Sequence, residues 1–141
     1  VLVDVDHFEA YNTRYGHQAG DDCLRTIALA LKEVLRRPAD VVARFAGEEF
    51  ACLLPDTSPA HARKLANHME QRVRELVGLK PDQSAGRQVT ISLGLVTRLQ
   101  AAPVTWEAFL QAASEQLQHA KKAGTGQIRA LQLDGATQPA T

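Results

Sequence analysis

Residues 41–54 read VVARFAGEEFACLL. Two short apolar runs, 41–45 and 49–54, are separated by Ala46-Gly47-Glu48, a spacing that predicts a β-hairpin. An antiparallel pair of this kind constrains everything around it, because neighbouring segments must extend the sheet or cover its faces. VLVDVDHF (1–8) has the β-branched content of a strand. YNTRYGHQAGD (11–21) is polar and punctuated by glycine, and reads as a connection. From Asp21, Leu24, Ile27, Ala28, Leu31 and Leu35 recur at helical spacing. Arg36 and Arg37 suit the helix end, where cations complement the macrodipole, and Pro38 stops it.

After the hairpin, 58–76 is predicted as a helix with Ser58 as N-cap, Pro59 first, and Leu65, Met69, Val73 and Leu76 on one face. GRQVTISLGLVTRL (86–99) reads as a strand with a kink at Gly94. Residues 105–124 read as a helix ending at Gly124, and QIRALQL (127–133) as a last strand. The order β-α-β-β-α-β-α-β predicts one domain, a mixed sheet with helices packed on it, over 1–133. Residues 134–141 read as a frayed tail.

The formal net charge is zero, which argues against a nucleic-acid polymer as partner, since that needs a basic face. Cys23 and Cys52 have no CxxC spacing and read as core thiols in a reducing compartment. No apolar run approaches the ~20 residues of a membrane span. A cytoplasmic domain is the expectation. The sequence opens at Val1, already inside an apolar run, so a piece of a longer chain is expected.

Asp is disfavoured in strands, yet VDVD places Asp4 and Asp6 two apart, on one face if the strand continues. Two anions there call for a cation. Alternatively, the strand ends at Asp4 and Asp6 caps a turn. Glu48 and Glu49 are adjacent, so one can face a site while the other points away; the plainer reading is a solvated hairpin tip. If the two acidic segments converge, they suit magnesium, which is held by one or two carboxylates plus substrate phosphates. Paired metals then stabilise attacking and leaving oxygens in phosphoryl or nucleotidyl transfer. His61 and His68 lie seven apart on one helix with no third ligand and read as surface residues. Trp106 and Phe109 read as core or interface aromatics.

The combination of VDVDHFEAYNTRYGHQAGDDCL, RPADVVARFAGEEF, VTISLG and AKKAG closely resembles the GGDEF domain, the catalytic domain of diguanylate cyclases. The likeness spans roughly Val1 to Leu131. It implies an α+β fold, a central, mainly antiparallel five-stranded sheet flanked by helices, similar to the adenylyl cyclase and polymerase palm. It implies condensation of two GTP into cyclic di-GMP plus two pyrophosphates, in a homodimer with Mg2+ (or Mn2+). The partners it implies are GTP, cyclic di-GMP, a second copy, and an upstream sensory or receiver domain.

Residue by residue, the resemblance places Asp4 and Glu48 on metal-binding carboxylates and Val5 on a metal-reaching carbonyl. Glu49 falls on the acid that helps activate the 3′-hydroxyl. Asn12 and Asp21 fall on guanine readers, and their donor and acceptor sets suit that base. Lys121 falls on a phosphate-binding lysine. Backbone N–H groups around His7 and Phe8 would cradle terminal phosphates. Arg37 and Asp40 match the RxxD motif of an inhibitory product site. Read without the resemblance, they form an i, i+3 ion pair at a helix end.

The sequence also departs from the family. Ala46 replaces the first glycine of the signature, which matters if that position needs positive φ. Glu9 and Thr125 stand where lysine and arginine usually contact phosphate, and Ser114 and Gln118 replace an Asp and a Tyr. The readings that follow are an active cyclase, or a weak or inactive module that binds GTP or cyclic di-GMP as a sensor.

Overall fold

The computed structural model describes residues 1–77, 89–99 and 103–133. The expected tail (134–141) and the expected start of the fourth strand (86–88) lie outside these residues. Five strands form one sheet in the order β2-β3-β1-β4-β5: β1 (Leu2–Val5), β2 (Val41–Ala46), β3 (Glu49–Leu53), β4 (Ile91–Arg98) and β5 (Ile128–Leu133). β1 is central and antiparallel to both β3 and β4; β2 is antiparallel to β3, and β5 is parallel to β4. The sheet is therefore mostly antiparallel, as expected. Its one parallel pair is joined by a helical crossover, which a parallel connection requires.

The hairpin forms where the sequence placed it. Its turn is Gly47-Glu48, with Gly47 at φ +47°, and the ladder shifts register between Arg44 and Ala46. Such a bulge sharpens the local twist and re-aims side chains at the strand end.

Alternation along β1 and β4 gives each face its own partner. Val3, Val5, Ile91 and Leu93 face helices α2 (His17–Val34) and α3 (Pro59–Val77), packing with Ile27, Leu31, Met69 and Val73. Leu2 and Val96 face α4 (Trp106–Ala123), packing with Ala112, Ala113 and Leu117. Gly94 permits that close approach: a Cβ there would lie 2.3 Å from the backbone nitrogen of Leu117 and 2.6 Å from the carbonyl oxygen of Ala113. α4 starts on Thr105, whose side chain accepts from the Ala108 N–H, and α3 starts after Ser58, whose hydroxyl accepts from the His61 N–H.

Some expectations fail. The segment 11–21 is not a connection. It is helix α1 (Phe8–Tyr15), one residue of break at Gly16, and the first turn of α2. Its polarity misled because α1 buries only Phe8 and Tyr11. The break needs glycine, since Gly16 has φ +91°. α2 also ends at Val34, before the two arginines; Arg36 instead donates from Nε to the Glu33 carbonyl at 3.1 Å. Trp106 is 58% exposed and is no core residue.

Candidate active site

Asp4 is the buried anchor of the site. It lies on β1, directly opposite Glu49 of β3 and Ser92 of β4, and is 4% exposed. Carboxylates directly opposite one another are destabilising unless compensated. The compensation is Lys121, near the end of α4, whose Nζ donates to Asp4 Oδ2 at 2.7 Å. Asp4 Oδ1 is buried and has no hydrogen-bond partner among the described residues. A buried carboxylate oxygen left open in this way is costly, and a cation would satisfy it.

The hairpin tip closes onto the same place. Val5 donates its N–H to the Glu48 carbonyl at 3.3 Å, and Glu48 lines a cleft of about 800 Å3 together with Val5, His7, Phe8 and Lys121. That volume lies in the range of small-molecule sites. Burial first, then the neighbouring Asp4 charge, holds the Glu49 carboxyl above the ordinary carboxylate range; Lys121 opposes the shift. The hydrogen bond to Asp4 in turn raises Lys121 above the ordinary amine range, with Glu48 and Glu49 adding to it.

His7 takes the left-handed conformation, φ +53°, between β1 and α1. For a non-glycine residue this costs about 1–2 kcal/mol. It turns the chain sharply at the cleft wall, and successive N–H groups in such a turn form an anion-binding concavity.

Asp4 and Asp6 have separate duties. β1 ends at Val5, and Asp6 sits in the turn after it. Its Oδ2 accepts from Thr90 Oγ1 at 2.6 Å and from the Gly126 N–H at 2.8 Å; its Oδ1 accepts from Ser92 Oγ at 2.8 Å. Asp6 thereby ties β1 to the start of β4 and to the turn after α4. The alternative in which Asp6 secures a turn describes it better than a shared cation. Only VTISLG hinted at its partners, and nothing in the sequence singled out Gly126.

The other expected residues are spread more widely. Asn12 is half-buried on α1 against Gly20, where a Cβ would lie 1.7 Å from its Oδ1. That Oδ1 is also buried without a partner among the described residues. Asp21 lies in a separate groove with Leu24, Arg25, Arg44 and Phe50. Arg37 grips both carboxylate oxygens of Asp40, at 3.2 and 2.8 Å, and also donates to the Pro55 carbonyl and to Thr57 Oγ1. The Arg37–Asp40 pair lines neither groove. Glu9 and Thr125 both line the 800 Å3 cleft. Ala46 does not have positive φ, so its methyl group carries no backbone strain.

Among the described residues, no three His, Cys, Asp or Glu side chains come together as a metal-ready cluster. The donors on hand are Asp4, with its open oxygen, and Glu48, which suits a magnesium completed by phosphates.

Comparison with known proteins establishes the family and the fold. A family profile described as "Diguanylate cyclase, GGDEF domain" matches residues 1–127. The chain belongs to the GGDEF family. This GGDEF domain is 33% identical over 128 residues to the probable diguanylate cyclase DgcT of Escherichia coli K12, covering 91% of this chain and 28% of that protein. It is 37% identical over 132 residues to the response regulator PleD of Caulobacter vibrioides, again covering 91% of this chain and 28% of the relative. The GGDEF domain thus spans little more than a quarter of these relatives. Among solved structures, diguanylate cyclase SiaD of Pseudomonas aeruginosa, crystallised with its activator SiaC, superposes with a TM-score of 0.74 at 30% identity, covering 92% of this chain and 48% of that one. The active GGEEF domain of a Vibrio cholerae diguanylate cyclase shares the fold, with a TM-score of 0.78 at 23% identity, covering 92% and 79%. No helix among the described residues is long and apolar enough to cross a membrane.

Proposed function

We propose that this GGDEF domain is the catalytic unit of a diguanylate cyclase, joining two GTP into cyclic di-GMP with release of two pyrophosphates. The observation that carries the reading is the buried Asp4, with one oxygen on Lys121 and one open, at the foot of the Glu48–Glu49 hairpin. Asp4 and Glu48, with the Val5 carbonyl, would hold magnesium or manganese, which when bound neutralises the phosphates and polarises the α-phosphate. Lys121 and the N–H groups of the His7–Phe8 turn bind the outer phosphates. Asn12 and Asp21 read guanine. Glu49, with its raised affinity for protons, accepts the 3′-hydroxyl proton as that oxygen attacks the α-phosphate of the second GTP. One domain positions one GTP, so two copies must face each other. The Arg37–Asp40 fork is the proposed inhibitory product site, and a regulatory domain elsewhere in the whole protein would bring the copies together in the cytoplasm.

Glu9 in the cleft wall favours a second reading, a weak or inactive GGDEF module that senses GTP or cyclic di-GMP. An anion there repels the phosphates the cleft would take. The deciding experiment fuses the domain to a dimerising coiled coil and follows GTP conversion with magnesium by chromatography. Cyclic di-GMP that accumulates and then stalls, with the stall lost in Arg37→Ala, supports the cyclase and its product site. GTP binding without any product supports the sensor.

A further inference from the structure

The charge inventory of the cleft leaves a polyphosphate poorly served by the residues assigned so far. Its lining carries three carboxylates, Asp6, Glu9 and Glu48, and two cations, Arg14 and Lys121. Asp6 is engaged by three donors, and Lys121 already shares its charge with Asp4. With Glu48 assigned to the cation, Glu9 remains as an anion facing an anionic ligand.

Arg14 is the lining cation with no carboxylate partner among the described residues. It is exposed and lies on the α1 face that also presents Glu9, Ala10 and Thr13 to the cleft, one turn beyond Ala10. Its position is braced. The guanidinium carbon stands 5.5 Å from the Tyr15 ring centroid, and Tyr15 packs against Tyr11 with centroids 4.9 Å apart. A guanidinium stacked on a ring keeps its N–H edge free and its charge at every accessible pH, and that edge matches phosphate.

We propose that Arg14 binds the outer phosphates of the nucleoside triphosphate and offsets the adverse charge of Glu9. The assignment rests on the cyclase reading for its ligand. In it, Lys121 bridges Asp4 and the phosphates from the α4 side, and Arg14 closes on them from the α1 side. Arg14 distinguishes triphosphate from monophosphate and plays no part in recognising the base.

The test is equilibrium titration of the chain and of Arg14→Ala with GTP and with GMP, at low and moderate salt. A charge-assisted contact predicts that Arg14→Ala loses about tenfold or more in GTP affinity, while GMP affinity stays within about twofold. The GTP affinity of the variant should also fall less steeply with salt, because one cation has been removed. Arg14→Lys should recover part of the loss, which a purely structural role for the side chain would not produce. Unchanged GTP affinity in Arg14→Ala overturns the assignment, as do equal losses for GTP and GMP. If the parent binds GTP and GMP equally, this assignment alone fails. If the parent binds no guanine nucleotide, the cyclase reading fails and takes the assignment with it.

Discussion

Replacing Asp6 should separate the two aspartates of VDVD. In Asp6→Ala, the Ser92 and Thr90 hydroxyls and the Gly126 N–H all lose their acceptor. Ser92 is fully buried and has no water to turn to, whereas Thr90 and Gly126 are half-buried and can be partly rehydrated. A buried donor left unmade costs about 1–3 kcal/mol, so the sum is about 2–5 kcal/mol after discounting the two wetter groups. That is a large share of the ~5–15 kcal/mol that holds a domain together. Asp6→Asn should behave differently. An amide can keep its carbonyl oxygen toward Thr90 and Gly126 and turn its NH2 to Ser92, whose hydroxyl rotates to accept. Only the charge assistance is lost, about 1–2 kcal/mol in all. Urea denaturation of the parent and both variants reads these differences through the midpoint. The reasoning is refuted if Asp6→Ala costs less than about 1 kcal/mol, or if Asn is as damaging as Ala. Because the Gly126 turn follows α4, Asp6→Ala should also loosen the grip of Lys121 on Asp4 and weaken nucleotide binding.

Gly94→Ala drives a methyl group into the α4 backbone at Leu117 and Ala113, which cannot yield as a flexible side chain would; thermal unfolding should show a loss of about 1–3 kcal/mol or more. In the proposed reaction Glu49 must be deprotonated to accept a proton, and its carboxyl is held above the ordinary 4.5, so turnover should fall on the acid side at a higher pH than an ordinary carboxylate gives. Lys121→Met removes the opposing cation and should move that acid limb further up, as a pH profile of kcat/KM would record. Cys23 and Cys52 are each 1% exposed, and burial pushes the Cys52 thiol up to about 11, so a thiol reagent should find both silent until the chain unfolds.

The helices legible from their apolar spacing share one property: that spacing is set by what they bury. α2 and α3 each place a regular apolar set against the sheet, and each was read from that set. α1 was missed because its eight residues bury two side chains and otherwise face the cleft and solvent. A helix that exists to carry polar residues to a site lacks the periodicity by which helices are read. The partition of Asp4 and Asp6 was illegible for another reason. Both project from one strand end, and what separates them is contact with Lys121, Thr90, Ser92 and Gly126, which lie 84 to 120 residues away in sequence.

The alanine in AGEEF shows how far a departure from a signature can be judged before its geometry is known. Its cost turned on whether position 46 needs a left-handed backbone. The turn places that demand one residue later, on Gly47 at φ +47°, where the glycine is retained. Ala46 ends β2 and pairs with Glu49, so its methyl group acts only on the space beside the hairpin tip. The departures with more weight are therefore electrostatic. Glu9 and Thr125 line the cleft itself, and under the cyclase reading the reversed charge at Glu9 acts on every phosphate that enters. Substituting Lys at Glu9 and Arg at Thr125 should tighten GTP binding more than restoring glycine at Ala46, because the first two act on charge in the cleft and the third only on a methyl group outside the strained position.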